Sequence, residues 1–156
     1  MKRLQIHSEE VTDTVTRRYL SQIERLDKMI QNKLSEIYQL KTMACSVTVS
    51  NDSERVQTSA DKDRLGSTVA KIVDLEKETD GLVDRFISKR NHIIEQIDGI
   101  EDMNMYHVLS SRYVGKKTFD EIASEMNYSR MQINRIHGKA LLEFERLYGN
   151  EYLNEK

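Results

Sequence analysis

Two long stretches of the chain carry a large apolar residue at almost every seventh position. The first stretch spans residues 11–43, contains neither glycine nor proline, and repeats at Ile23, Ile30 and Ile37. The second repeats at Leu65, Ile72, Thr79, Phe86, Ile93 and Ile100. Because a seven-residue repeat keeps one stripe of a helix facing the same way, both stretches are predicted to be long helices with an apolar seam.

Between these stretches, residues 44–66 are rich in Ser, Thr, Asp and Asn and follow neither pattern. We predict that this segment is a connector. It can turn the chain back into an antiparallel hairpin, or it can separate helices that pair between subunits. The sequence leaves open whether the two seams close within one chain or in a homodimer.

A third pattern occupies residues 118–142, where two helix-start signals lie eleven residues apart. Glu121 follows Thr118 by three residues, and Gln132 follows Ser129 by three, which is the spacing of a capping box. The apolar positions after each start are three and four apart: Ile122, Ala123, Met126, Ile133, Ile136 and Ala140. This arrangement predicts a short helix, a tight turn and a second helix, which is a helix-turn-helix.

Residues on either side of this segment are predicted to complete its core. The candidates are Tyr106, Val108, Leu109, Tyr113 and Leu147, with Gly115 ending the preceding helix. The fold class expected is therefore all-α. A long N-terminal helical hairpin or coiled coil in residues 1–103 precedes a small three- to four-helix helix-turn-helix domain in residues 104–147, and residues 148–156 form a tail.

The two helices of the helix-turn-helix differ in charge. The first carries Asp120, Glu121 and Glu125, whereas residues 129–142 contain no acid. Arg and Asn side chains can donate paired hydrogen bonds to base edges, and cations can neutralise phosphate. The second helix is therefore predicted to contact DNA.

The charge of the whole chain limits how strongly it can bind DNA alone. The formal net charge is −2, but residues 106–147 hold seven Lys and Arg against five Asp and Glu, which gives +2. Non-specific affinity rises with the number of phosphates neutralised. We therefore expect weak binding by a monomer and a need for a partner or a second copy.

The C-terminal segment resembles region 4 of bacterial sigma factors over residues 104–147. The residues that carry the resemblance are Leu109, Arg112, Tyr113, Thr118, Glu121, Ile122, Ala123, Ser129, Ile133, Ile136, Lys139, Ala140 and Leu141. The resemblance implies a helix-turn-helix that contacts the upstream promoter element in double-stranded DNA and docks on host RNA polymerase.

Carried over position by position, the resemblance implies two sets of site residues. Those expected to contact bases are Arg130, Met131, Asn134 and Arg135. Those expected to contact backbone phosphate are Thr118, Gln132 and Lys139. Apart from the resemblance, Lys116 and Lys117 are further candidate phosphate contacts, and His137 is either a phosphate contact or an exposed polar residue. Many housekeeping sigma factors have an acid at the position of Met131, so the DNA sequence recognised should differ from theirs.

The whole chain is similar to a family of uncharacterised phage and prophage proteins from Gram-positive bacteria, through RVQTSADKDRLGS, VAKIVDLEKE and the C-terminal module. The similarity implies a phage transcription regulator that acts with host RNA polymerase or as a dimer. No segment fits the promoter-melting region of a sigma factor, so we expect an activator that acts through the host polymerase, or a repressor.

One alternative is a small terminase subunit, which couples a helix-turn-helix to ring-forming helices. Another is an interaction protein that binds polymerase or a sigma factor without contacting DNA.

Catalysis, cofactors and membranes are not expected from the sequence. Cys45 and the histidines at 7, 92 and 107 lie in separate segments, and the six glycines form no phosphate-binding loop. We therefore expect no enzyme, no cofactor and no metal site. No apolar run is long enough for a membrane helix, and the N-terminus lacks the features of a secretory signal, so the expected location is the bacterial cytoplasm.

Overall fold

The computed structural model describes residues 14–49 and 59–153, and this part of the chain is helical almost throughout. Its elements are α1 (14–20), α2 (Gln22–Val49), α3 (Ser59–Asp98), α4 (Met103–Leu109), a π-helical turn (Ser110–Val114), α5 (Phe119–Met126) and α6 (Arg130–Tyr152). No strand occurs in these two ranges, so the all-α prediction is confirmed. Among the described helices, no stretch combines the length and the hydrophobicity that a membrane span needs.

One compact unit, Leu26–Phe86, is built from α2 and α3. Ile37, Ile72 and Leu75 are buried together, with Leu40 packed against them. Ion pairs between described residues of the two helices include Lys33 with Glu78 at 2.7 Å, Lys41 with Glu76 at 2.7 Å, and Lys71 with Glu36 at 3.3 Å. From Lys33 to the later residue Lys41 on α2, the partner on α3 moves back from Glu78 to Glu76, so the helices are antiparallel. Over this region the two seams therefore close within one chain.

The helices extend into the segment predicted to be a connector. α2 continues to Val49 and α3 begins at Ser59. Residues 50–58, between them, lie outside the described residues. The hydroxyl-rich composition is compatible with helix here because the side chains donate to carbonyls one turn earlier, as Ser46 Oγ does to the Met43 carbonyl at 2.8 Å.

The other compact unit combines the residues up to Arg25 with those from Ile87 onwards. Its described part contains α1, the start of α2, the end of α3, and α4 to α6. The largest fully buried side chains in it include Leu20, Ile23, Ile93, Ile97 and Phe144. The predicted boundary at residue 103 therefore falls inside this unit rather than between units.

The C-terminal half of α6 is part of the core of this unit. The ring of Tyr152 is 5% exposed and stacks on that of Tyr19 at 4.3 Å between centroids. Thr16 Oγ1 and Tyr152 Oη are hydrogen bonded at 2.8 Å. Burial raises the pKa of the Tyr152 phenol. Residues 148–152, which were predicted from the sequence to be part of a tail, thus belong to a packed helix.

A polar network joins three helices in the same unit. Gln96 is buried, and its Oε1 accepts from Tyr19 Oη at 2.9 Å. Its Nε2 donates to Glu151 Oε2 at 2.7 Å, and the same oxygen lies 3.1 Å from His92 Nε2. Because both polar ends of the buried amide have partners, its burial carries no unpaired group.

Candidate nucleic-acid interface

The first helix of the helix-turn-helix begins with the predicted capping box. Thr118 Oγ1 accepts from the Glu121 N–H at 3.3 Å, and Glu121 Oε2 accepts from the Thr118 N–H at 2.6 Å. The Thr118 N–H, and after it the Thr118 hydroxyl, which donates to the same carboxylate oxygen at 2.8 Å, hold the pKa of Glu121 below its usual value. Thr118, one of the predicted phosphate contacts, therefore also fixes the start of α5.

A three-residue turn separates α5 from α6. Asn127 has φ 55° and ψ 39°, and its N–H donates to the carbonyls of Ala123 and Ser124. Asparagine tolerates this left-handed conformation better than most residues. The turn ends at Ser129, whose Oγ accepts from the Gln132 N–H at 3.2 Å, and this bond caps α6.

The inward faces of both helices meet α4. Val108, Ile122, Ala123 and Ile133 are buried together, and Phe119, Met126, Tyr128 and Ile136 pack against them. The six inward positions predicted on α5 and α6 are thus all buried or partly buried. Leu147 is 39% exposed, so its predicted place in the core is wrong; Leu141 and Phe144 fill the inward face of α6 instead.

The loop in front of α5 depends on Gly115. The Gly115 N–H donates to the Ser110 carbonyl at 2.9 Å and closes the π-helical turn. A Cβ at Gly115 would lie 2.8 Å from the Ser111 carbonyl oxygen. Gly115 does end the preceding helix as predicted, but its φ is −79°; Lys116, at φ 57°, is the left-handed residue.

The candidate base-contacting residues lie on the outward side of α6. Arg130, Met131, Asn134 and Arg135 are all exposed. Because successive helical residues are rotated by about 100°, residues 131, 134, 135 and 138 share one strip, which we call the base-contacting strip. Ile133, His137 and Ala140 lie on the opposite, buried side. Gln132 and Lys139, two predicted phosphate contacts, are exposed beside the strip.

Arg130 is engaged by an acid of the first helix. Its Nη1 donates to Asp120 Oδ2 at 2.9 Å and to Oδ1 at 3.2 Å. An exposed pair of this kind contributes about 0–1 kcal/mol. Breaking this pair therefore costs little free energy, so a phosphate or base could replace Asp120. While the pair is formed, it fixes the position of the Arg130 guanidinium.

The candidate phosphate contacts before α5 lie in a loop that is bonded to α5 and to the π-helical turn. Lys117 Nζ bonds both Glu125 oxygens, at 2.7 and 2.8 Å, and Lys116 is exposed. Arg112 Nη1 donates to the Lys117 carbonyl at 2.9 Å, and its guanidinium lies 5.3 Å from the centroid of the Phe119 ring. Arg112, absent from the predicted site residues, thus shapes the loop that presents both lysines.

His137 does not reach the exposed side of α6. Its side chain is 3% exposed, its Nε2 lies 3.0 Å from Tyr113 Oη, and its ring meets Phe119 edge-on at 5.0 Å. The prediction of a phosphate contact is wrong, because residue 137 is four positions after Ile133 and shares its inward face. This four-residue spacing from Ile133 indicates in the sequence that His137 is buried, whereas the polar character of histidine favours an exposed position.

Positive charge at this surface is partly compensated. Among the seven basic residues of 106–147, Arg130 and Lys117 are paired as described, and Arg146 pairs with Glu143 at 2.7 Å. The bond to Arg146 lowers the pKa of Glu143. The surface therefore offers hydrogen-bond donors and moderate positive charge.

No group of three or more His, Cys, Asp or Glu side chains in the described residues could hold a metal ion.

The segment thus has the parts of a DNA-binding helix-turn-helix: a capped short helix, a left-handed turn, and a second helix with an exposed strip that carries Asn134 and Arg135. Residues 104–143 match the family Sigma-70, region 4. The resemblance expected from the sequence is thereby confirmed for this segment. A region 4 helix-turn-helix indicates a DNA-binding, transcription-related role.

The region 4 match covers only part of the chain. It takes in α4, the π-helical turn, α5 and the first part of α6, and it ends at residue 143, whereas α6 continues to Tyr152. Searches of curated proteins and of solved structures find no match to the chain. The packing of α1, α3 and the end of α6 therefore has no counterpart in the region 4 match.

Proposed function

We propose that this protein is a sequence-specific transcription regulator that binds double-stranded DNA through α6. The observation that carries the proposal is the base-contacting strip: the outward face of α6 exposes Arg135, Asn134 and Met131, while its inward face is buried against α4 and α5. A helix anchored in this way can enter the major groove, where Arg and Asn side chains distinguish base pairs.

The flanking residues support a fixed orientation on the duplex. Lys116, Lys117 and Thr118 precede α5, and Gln132 and Lys139 lie beside the strip on α6. Contacts from such positions to phosphate orient a protein without carrying sequence information. In this proposal Lys117 exchanges Glu125 for a phosphate on binding.

We further propose that the protein acts with host RNA polymerase or as a dimer. The module has a formal charge of +2, and three of its basic residues are in ion pairs. Such a surface releases few counterions, so a single copy should bind weakly. A phage or prophage setting is supported by the sequence similarity alone.

The proposal is tested by replacing the two arginines of α6 that should contact bases. Arg130→Ala combined with Arg135→Ala should weaken binding to a selected DNA site, by about 1–3 kcal/mol for each arginine that contacts a base. The measurement is a titration of labelled duplex at fixed salt concentration.

Arg146→Ala is the control for loss of an arginine, because it removes one positive charge from the same helix beyond the strip, where Arg146 pairs with Glu143. Equal affinities for the double variant and the control would reject α6 as the base-contacting helix. Light scattering on the intact chain separates the packaging alternative: a monomer or dimer agrees with a regulator, and a ring of many subunits with a terminase.

A further inference from the structure

One apolar side chain stands out on the base-contacting strip. Met131 is 65% exposed and lies at the second position of α6. Its thioether cannot donate a hydrogen bond or neutralise a phosphate. In the major groove, the apolar group available to such a side chain is the C5-methyl group of thymine.

The neighbours of Met131 place it among the candidate base-contacting side chains. Arg135 Nη2 lies 3.7 Å from Met131 Sδ, so the tips of the two side chains are side by side. The preceding residue, Arg130, is bonded to Asp120 on α5. An arginine in the major groove donates to the O6 and N7 atoms of guanine. Met131 and Arg135 therefore present an apolar group and a donor to adjacent positions.

Gly138 allows DNA to approach this strip closely. A Cβ at Gly138 would meet no atom of the protein within 4 Å, so the packing of the fold does not require glycine there. Inside a helix, glycine costs about 1 kcal/mol relative to alanine. A missing side chain at this position leaves the backbone of α6 accessible on the side where Met131 would need to come within van der Waals distance of a base.

We propose that Met131 recognises the C5-methyl group of a thymine in the major groove, beside the base pair that Arg135 contacts. This inference rests on the proposed function and names one chemical group in the target. A methyl group offers contact area and no hydrogen bond, which is the complement of a methionine side chain.

The test removes the methyl group alone. DNA sites are selected from a random library with the full chain, and each thymine of the site is then replaced singly by uracil, which keeps the base pairing. For the wild type, one replacement should weaken binding about fourfold, the value expected for one buried methyl group. The same replacement should have no effect on Met131→Ala. Leu142→Ala, which truncates another exposed apolar side chain on α6, should retain the fourfold effect.

Two results would overturn the inference while leaving the proposed function intact. One is that no uracil replacement changes wild-type binding; the other is that Met131→Ala is weakened by uracil as much as the wild type. In either case the Arg130→Ala and Arg135→Ala variant still decides whether α6 contacts bases. If the full chain selects no DNA at all, the proposed function fails together with the inference. Far-UV circular dichroism should show an unchanged helical signal for Met131→Ala, because the change is at an exposed position.

Discussion

At the scale of single residues, the candidate interface is defined by which polar side chains have partners inside the protein. Lys117 and Arg130 form ion pairs with acidic residues, whereas the side chain of His137 is buried in the core. Charge type alone does not separate these cases, because all three were candidate contacts by sequence. The fold makes the distinction, since it brings Asp120 of α5 within 2.9 Å of Arg130 of α6 across ten positions of sequence.

The pair between Asp120 and Arg130 should restrain DNA binding. Asp120→Asn removes the competing charge, and we expect DNA affinity at low salt to rise by up to about fivefold, in line with the small energy of an exposed pair. The increase should shrink when Arg130→Ala is already present, and a double-mutant cycle measures this coupling.

Glu143→Gln provides the comparison, since it releases Arg146 from an equivalent pair outside the base-contacting strip. An affinity gain of the same size in Glu143→Gln would show that general electrostatics, and not the freeing of Arg130, is responsible.

At the scale of elements, local signals explain most of what could be predicted. Helix starts follow from Thr118 and Ser129, because a capping side chain acts within three residues, and the inward faces follow from the helical period. The left-handed turn at Asn127 was not predicted, although an asparagine just after an apolar helical face is its usual signal. The π-helical turn had no comparable signal.

Gly115→Ala should destabilise the helix-turn-helix. Its Cβ would lie 2.8 Å from a backbone oxygen, so the π-helical turn must shift, and we expect a decrease of about 1–3 kcal/mol in the free energy of unfolding. Chemical denaturation measures it.

Gly81→Ala is the suitable control for this change. A Cβ at Gly81 in α3 would meet no atom within 4 Å, so alanine should stabilise the helix by about 1 kcal/mol. If Gly115→Ala were equally stabilising, the close approach would not constrain the loop.

At the scale of the whole molecule, the division of the chain could not be predicted from periodicity. Thr16 and Tyr152 are hydrogen bonded although 136 residues separate them, and no local pattern reports such a contact. The apolar seams predicted the two long helices correctly. They could not show that the end of the second long helix belongs to the same compact unit as the helix-turn-helix. An apolar seam indicates that one face of a helix is buried, but not which element packs against that face.

Tyr152→Ala should therefore affect more than the end of the chain. Removing a buried aromatic side chain costs about 3–5 kcal/mol, and the destabilisation should appear as a lower thermal midpoint. Tyr38→Ala, at a tyrosine that is 72% exposed in the other unit, should leave the midpoint nearly unchanged. Equal midpoints for both variants would mean that residues 148–152 are not a structural part of the unit.

The length of α6 has a thermodynamic consequence. Its first turns carry the base-contacting strip, and its last turns lie in the core with Tyr19 and Thr16. A ligand that binds only the folded state stabilises everything that must fold with its site. DNA bound at the strip should thus stabilise the distant contact of Tyr152 with Thr16 and Tyr19 by a coupling free energy. Breaking that contact should weaken DNA binding by the same coupling free energy.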